Sequence, residues 1–400
     1  MENIFELTTE KLKTIANHLQ ERIEEGLKDD GMEIAAIPTY ITSSEEITDG
    51  KVLALDWGGT NFRAAVVEFK DGNPKILETE KILLSAQTLK DNNIETQDAL
   101  FATMANVICK LKTLDENVKS IGYCFSYPAK CEIKGDATLL CWAKEINIPD
   151  MVGKLVGEPL REYLNKHLNT KFKHIKVIND TVACLFAGLS KTGYQNYIGL
   201  IVGTGTNMAS LMRRNKIEKL NSKENDYIPV NLESGNFNPP YLIKVDDLVD
   251  ETTNNKGVHR FEKAISGGYL GKIFVKNFLP EKTDYDFDCE MLSELIKDSE
   301  KQIQTAKNIA ERSANLVAAS IAGLVQVLVK QDNSVKKIGL AADGSVFWKT
   351  PNYIKMVEDA LAELLPIDVK VEVLPEMQDP NIIGSAIAAL SAASETVPSE

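Results

Sequence analysis

Residues 52–69 read Val52-Leu53-Ala54-Leu55-Asp56-Trp57-Gly58-Gly59-Thr60-Asn61-Phe62-Arg63-Ala64-Ala65-Val66-Val67-Glu68-Phe69. An apolar run meets a short turn of charge and glycine, then a second apolar run begins. The pattern predicts a strand over 52–55, a turn at 56–60 and a returning strand over 64–69. Glycine suits such a turn because it adopts positive φ without strain. It also strips the turn of side chains and leaves backbone N–H groups facing outward, where an oxyanion can meet them. The turn alone therefore has two readings, a plain bend or a phosphate cradle. On the second reading Asp56 holds a hydrated Mg²⁺, Thr60 meets phosphate oxygens and Arg63 stands behind them as a cation.

The same grammar returns further along. Residues 197–202 predict a strand, Gly203-Thr204-Gly205-Thr206 a turn, and 208–212 a returning strand. Gly59-Thr60-Asn61 and Gly205-Thr206-Asn207 match at an offset of 205 minus 59, or 146 residues. Three residues alone are a weak repeat, but their shared strand–turn–strand setting points to duplication. Two α/β halves, each offering a glycine hairpin, make an architecture suited to a nucleotide. Neither turn is a Walker A loop, because G-x-x-x-x-G-K-[ST] is absent. Neither is a dinucleotide fingerprint, because no helix follows a G-x-G-x-x-G.

The 400 residues include 44% apolar side chains, which excludes a disordered chain, and show no coiled-coil or collagen repeat. Lys and Arg number 45 against 58 Asp and Glu, a net charge of −13. So acidic a chain, without a basic arm, is expected to have no nucleic-acid partner. Any anion must be held at a local site. The six cysteines form no C-x-x-C pair and predict neither a zinc knuckle nor a disulfide framework. The four histidines show no metal spacing. Met1-Glu2-Asn3-Ile4-Phe5 carries early charge and no apolar core, so no export signal is expected. The longest apolar run, 317–329, is broken by Ser320 and Gln326 and predicts a buried helix rather than a membrane span. A cytoplasmic location without membrane attachment is the expectation.

Elsewhere, Leu12, Ile15, Leu19, Ile23 and Leu27 form one helical stripe ending before Gly31. Ile37-Pro38-Thr39-Tyr40 is extended. Helices are expected over 95–114, 181–189, 290–330 with two breaks, 353–365 and 381–393. Strands are expected over 121–125, 175–178, 337–341 and 369–374. Alternation of the two predicts an α/β class with mixed sheets.

Several polar residues stand in unusual settings. Asp180 follows a strand and precedes a helix. Such an aspartate caps the helix, or it accepts a proton from a substrate hydroxyl, as a carboxylate does in phosphoryl transfer. Asn207 follows a glycine turn. Glu233 lies in Asn231-Leu232-Glu233-Ser234-Gly235-Asn236-Phe237, and Glu262 precedes Ile265-Ser266-Gly267-Gly268-Tyr269. Each alone is an ordinary surface or capping group. With Asn179 and Asp180 they supply the amides and carboxylates that pair with vicinal hydroxyls of a sugar.

In this order, these segments resemble the hexokinase family of eukaryotic type along nearly the whole chain. Ile37-Pro38-Thr39-Tyr40 is similar to M-L-P-T-F/Y. Residues 53–63 are similar to L-A-L-D-L-G-G-T-N-F-R, with Trp57 for a leucine. Phe125-Ser126-Tyr127-Pro128 is similar to F-S-F-P, and Ile178-Asn179-Asp180-Thr181-Val182 to the catalytic N-D-T-V. Residues 203–207 match the second phosphate motif, 231–237 the N-x-E-x-G-x-F segment, 261–271 Y-E-K-x-I-S-G-x-Y-L-G, and 341–346 the adenosine segment.

The resemblance implies a two-lobed actin-like ATPase (ribonuclease H-like) fold with a cleft between a small and a large domain. The small domain is expected at 45–180, with a C-terminal helix at about 381–400 returning to it; 1–44 and 181–380 form the large domain. It implies transfer of the γ-phosphoryl group of ATP to the 6-hydroxyl of a hexose, glucose first. Carried over by position, Asp180 is the general base, and Lys144 neutralises charge on the transferred group. Ser126, Lys144, Asn179, Asp180, Asn207, Glu233 and Glu262 hold the sugar. Asp56, Gly58, Gly59, Thr60, Asn61, Arg63, Gly203, Thr204, Gly205, Thr206, Asp343, Gly344 and Ser345 line the nucleotide. Asp56 and Asp180 hold Mg²⁺ through water. Hexose and ATP are the expected partners, with no obligate protein partner.

The chain departs from the pattern in places. Trp142-Ala143-Lys144 stands where the family reads W-T-K, so a hydroxyl expected to bond the sugar is missing, at a cost of about 1 kcal/mol. That implies a shifted hexose preference rather than lost activity. The chain is also shorter than single-unit relatives, with trimming expected near 213–230 and 280–290. A catalytically silent sugar sensor is the alternative; its signature would be loss of the base or of a turn, and both are present. An actin-like or Hsp70-like ATPase engaging protein partners would need a polymer surface or a peptide-binding domain, and none is expected in this chain. The repressor-related bacterial glucokinases carry a Cys–His zinc cluster that this sequence lacks.

Overall fold

The computed structural model describes residues 3–41, 47–282, 287–297 and 302–394. The chain divides into two compact units. One comprises Ile37–Thr192, Asp226–Asn231 and Met377–Glu400; the other comprises Met1–Ala36, Gly193–Asn225 and Leu232–Glu376.

The first unit is built on strands Gly50–Trp57 (β1), Asn61–Lys70 (β2), Asn73–Leu83 (β3), Ser120–Phe125 (β4) and His174–Ile178 (β5). They lie in the order β3-β2-β1-β4-β5. β1 and β2 form the antiparallel hairpin, with Trp57 opposite Phe62 and Asp56 opposite Arg63. β1, β4 and β5 run parallel. Leu53, Leu55 and Trp57, with Ile121, Tyr123 and Phe125, belong to one buried cluster with the helices Gln97–Ile108 and Glu158–His167. The helices Asp180–Leu189 and Pro380–Ser394 pack together, and the latter lies against β1, β4 and β5. A sheet covered on both faces has apolar residues at every position, and β4 is buried throughout. The covering helix comes unusually close: a Cβ on Gly122 would stand 1.7 Å from the Ser385 carbonyl oxygen.

The second unit repeats the arrangement. Strands Asn196–Val202 (β6), Thr206–Arg213 (β7), Lys337–Asp343 (β8) and Lys370–Val373 (β9) lie in the order β7-β6-β8-β9. β6 and β7 are antiparallel, and β6, β8 and β9 are parallel. The central helix is Gln302–Gln331, longer than the apolar run 317–329. Its stretch Gln304–Gln331 is long and apolar enough to cross a membrane by length and composition, but most of its apolar face is buried within the unit. It packs on the helices Thr9–Lys28 and Tyr353–Leu364. At Gly323 the backbone approaches so closely that a Cβ would lie 2.5 Å from the Ala16 carbonyl oxygen.

Beyond β7 the chain makes two tight 3₁₀ turns, Arg214–Lys216 and Glu218–Leu220. Of the second expected trimming site, 283–286 lie outside the described residues.

A buried ion pair fixes one end of this unit. The Lys263 ammonium donates to Asp250 Oδ1 at 2.6 Å, Thr253 Oγ1 at 2.9 Å and the Asn255 carbonyl at 2.8 Å. Lys263 is 2% exposed. Burial alone would push the Asp250 carboxyl up, but Lys263, the Gly257 N–H and Arg260 outweigh it and hold the carboxyl below its usual range. A depressed carboxyl contributes stability above its unfolded pKa and loses it as pH falls through the folded value.

Two outcomes are expected. Gly122→Ala forces a side chain into the Ser385 backbone and lowers stability by about 1–3 kcal/mol or more, read by chemical denaturation. Asp250→Asn strands a buried ammonium and costs about 3–5 kcal/mol at neutral pH. In this variant the loss of stability as pH falls below about 4 is also shallower than in the parent. An unchanged acid slope would contradict the role of Asp250.

Candidate active site

The candidate residues of the first unit converge. Asp56, Gly58, Thr60, Asn61, Arg63, Ser126, Lys144 and Asp180 line one cavity of about 480 Å³, joined by Lys81 and Asn381. Its lining holds three cations (Arg63, Lys81, Lys144) against two carboxylates (Asp56, Asp180). A chain of net charge −13 thus carries a local positive excess at the place expected to meet phosphate.

Asp56 closes β1 and is 6% exposed. Arg63 donates to its Oδ2 through Nε at 2.9 Å and through a terminal nitrogen at 2.6 Å. Arg63 also pairs with Asp379, and Asn381 approaches Asp56 Oδ1 at 3.4 Å. Burial raises the Asp56 carboxyl above its usual range; Arg63 opposes this, and the nearby charge of Asp180 adds to it. Cys124 is fully enclosed, and burial beside Asp56 and Asp180 pushes its thiol far up, so it is no nucleophile.

Asp180 is not the helix cap. Asn179 occupies that position, and its side chain accepts the Thr181 N–H at 2.7 Å. Asp180 is the first helical residue, with Oδ1 accepting the same N–H at 2.8 Å and the carboxylate on the cavity wall. The Thr181 N–H is therefore shared by the two side chains, and the Asp180 carboxylate lines the cavity as well.

Lys144 lies across the first glycine turn. Its ammonium donates to the Gly58 carbonyl at 2.5 Å and the Ser126 carbonyl at 3.2 Å. Gly59 has φ +118°, and a Cβ there would stand 2.7 Å from Lys144 Cδ. Lys144 and Glu145 are both left-handed, at φ +58° and +61°. Consecutive non-glycine residues in that region cost about 1–2 kcal/mol each and concentrate at functional sites. Ala143 packs against the apolar core.

Within the second unit, the expected sugar and phosphate residues also meet. Asn207 Nδ2 donates to Glu233 at 3.4 Å, and Asn207 Oδ1 accepts the Ser234 N–H at 3.1 Å. Glu233 is itself left-handed at φ +56°. Glu262 accepts the Thr206 N–H at 3.1 Å, and a Cβ on Gly205 would stand 2.6 Å from its carboxylate. The Gly203 and Thr204 carbonyls accept the Gly267 and Gly268 N–H groups at 2.7 and 3.1 Å. Gly344, at φ +111°, packs on Val202 and Gly203, with Asp343 accepting its N–H and Ser345 opening a short helix beside it.

Three site features were not anticipated from the sequence. Lys81 comes from β3. Asp379 and Asn381 flank the start of the last helix. Tyr127 is 6% exposed, and its hydroxyl has no partner among the described residues. An unmet buried donor costs about 1–3 kcal/mol.

Mg²⁺ suits the donors present. It binds through one or two carboxylates, keeps several waters and takes the rest from substrate phosphates. Asp56 and Asp180 face one cavity, and the Asp56 oxygens are already engaged, which favours contact through water. Among the described residues no three His, Cys, Asp or Glu side chains form a metal cluster.

Comparison with known proteins agrees with this geometry. Two hexokinase family models match, one over residues 1–189 and the other over 197–309 and 282–391. Hexokinase-2 of Schizosaccharomyces pombe is 28% identical over 98% of this chain and 96% of its own length. A Schistosoma mansoni hexokinase solved with glucose superposes with a TM-score of 0.80 at 23% identity, covering 97% of this chain and 96% of that one. A Streptomyces griseus glucokinase of the ROK family, solved with glucose and AMPPNP, superposes at 0.53 and 18% identity, covering 85% and 99%. The fold is the actin-like ATPase fold of sugar kinases. With family models matching both halves, the chain belongs to the hexokinase family and is an ATP-dependent sugar kinase.

Proposed function

We propose that this chain transfers the γ-phosphoryl group of MgATP to the 6-hydroxyl of a hexose, glucose first, giving the hexose 6-phosphate and ADP. The observation that carries this reading is the cavity of about 480 Å³ lined together by Asp180, both ends of the first glycine turn and three cations. Glucose is named because the S. mansoni relative was solved with it.

Phosphoryl transfer asks little covalent chemistry of a protein and much positioning. Asp180 takes the proton of the 6-hydroxyl as that oxygen bonds to phosphorus. The bond from phosphorus to the bridging oxygen breaks, and its electron pair leaves with ADP. Lys144 exchanges its two carbonyl acceptors for oxygens of the transferred group, where a point charge stabilises the transition state. Ser126, Lys144 and Asn179 hold sugar hydroxyls in this unit; Asn207, Glu233 and Glu262 are assigned the same task in the other. The turn Gly58–Thr60 with Asn61 and Arg63, the turn Gly203–Thr206, and Asp343, Gly344 and Ser345 receive the nucleotide. Mg²⁺, held through water by Asp56 and Asp180, would offset phosphate charge.

Asp180→Asn keeps the size and the hydrogen-bonding edge but cannot take the proton. Turnover of glucose with MgATP is expected to fall by about 10²–10⁴-fold, with sugar affinity changed little. A coupled ADP-release assay and a sugar titration check both. Undiminished turnover would remove Asp180 as base. Sugar binding without turnover in the unaltered protein would favour the sugar-sensing reading instead.

A further inference from the structure

Tyr127 sits in a box of aromatic rings. The centroids of Phe125, Trp57 and Trp142 lie 4.9, 5.0 and 5.0 Å from its own. The polar tips of the box are otherwise satisfied. Trp57 Nε1 donates to the Leu84 carbonyl at 3.0 Å, and Trp142 Nε1 to the Ile148 carbonyl at 2.8 Å. The Tyr127 hydroxyl alone, more than nine-tenths buried, meets no acceptor among the described residues.

Its position gives the orphan a direction. The hydroxyl stands 3.6 Å from where a Gly59 Cβ would be, beside the first glycine turn. The Lys144 stem crosses that same spot, with its ammonium 5.4 Å from the Tyr127 ring. That ammonium rests on the Gly58 and Ser126 carbonyls, an arrangement it must leave to meet a phosphoryl group. The stem belongs to the left-handed pair Lys144-Glu145. The Lys144 stem and the Tyr127 hydroxyl thus share the space beside Gly59.

Two departures from the family pattern then fit together. Ala143 offers no hydroxyl where W-T-K would, and Tyr127 offers one where F-S-F-P has none. Tyr127 follows Ser126, a residue of the cavity wall. We propose that Tyr127 is a sugar-binding residue: its hydroxyl, which shares the space beside Gly59 with the Lys144 stem, donates to a sugar hydroxyl once Lys144 shifts, and replaces the bond that Ala143 cannot make. This rests on the sugar-kinase reading above.

The test is Tyr127→Phe, read by titrating glucose against tryptophan emission, since Trp57 and Trp142 adjoin the ring. Glucose Kd and KM are expected to rise about five- to tenfold, the loss of one hydrogen bond. KM for MgATP and kcat stay within about twofold, and Tm does not fall, because the hydroxyl removed had no partner. Adding Ala143→Thr to Tyr127→Phe is expected to restore glucose affinity to within about threefold of the parent. Unchanged glucose affinity in Tyr127→Phe overturns the proposal. So does a rise confined to KM for MgATP, which would place the hydroxyl on phosphate, or a fall in Tm that accounts for the lost affinity. Parent protein that neither binds nor phosphorylates any hexose fails at the sugar-kinase reading; parent that does both, with Tyr127→Phe identical to it, fails at Tyr127 alone.

Discussion

The structure depends on backbones that approach closer than any side chain allows. Gly122 against Ser385, Gly384 against Ala183 and Gly344 against Val202 each leave no room for a Cβ. The first two seat the last helix on β4 and on the helix that begins at Asp180. That seating aims the Asp180 carboxylate at the cavity and brings Asn381 to Asp56. The third stacks the turn after β8 on the turn after β6. The geometry of the cavity lining is set by missing side chains as much as by present ones, because a shift of one ångström in a packed interior is not absorbed locally.

The two units show why so short a sequence echo can mark a whole duplication. In each, an antiparallel hairpin is followed by parallel strands added on the same side, β2-β1-β4-β5 in one and β7-β6-β8-β9 in the other. Only the turns are held by chemistry. There Gly-Thr-Asn recurs, as the phosphate-binding role proposed for both turns requires: small residues, a hydroxyl and open N–H groups. The strands need only be apolar, a demand many sequences meet.

Strongly periodic elements were legible from the sequence. The helix Thr9–Lys28, the strands of both hairpins and the helices Tyr353–Leu364 and Pro380–Ser394 fall where pattern placed them, within a few residues. β3 was not read, because it alternates charge with apolar groups at a half-exposed position and none of its residues is fully buried. The short helices Lys244–Asp250, Arg260–Ile265 and Gly267–Phe278 were also missed. The first two are held by tertiary contacts, Arg312 on Asp246 and Lys263 on Asp250, rather than by their own propensity. In the site, the turn residues were visible since glycine and aspartate are conspicuous in a strand-rich setting. Lys81, Asp379 and Asn381 were not, because their roles come from a sheet edge and a helix start far apart in sequence.

The same contrast explains how an acidic protein can handle a polyanion. Its net charge opposes phosphate at long range, and screening confines that opposition to about 10 Å or less in salt. Within that distance the balance is local: Arg63, Lys81 and Lys144 line the cavity, with Asp56 tied to Arg63. The Asp56–Arg63 pair serves both signs. It keeps a buried carboxylate from standing alone, and it holds the guanidinium at the mouth of the glycine turn instead of letting it swing to solvent. The remaining carboxylate, Asp180, shares the Thr181 N–H with Asn179, the residue at the cap position. The two carboxylates of this cavity thus differ in their partners, Asp56 held by Arg63 and Asp180 by the Thr181 N–H and hydroxyl, and the separate tasks proposed for them rest on that difference.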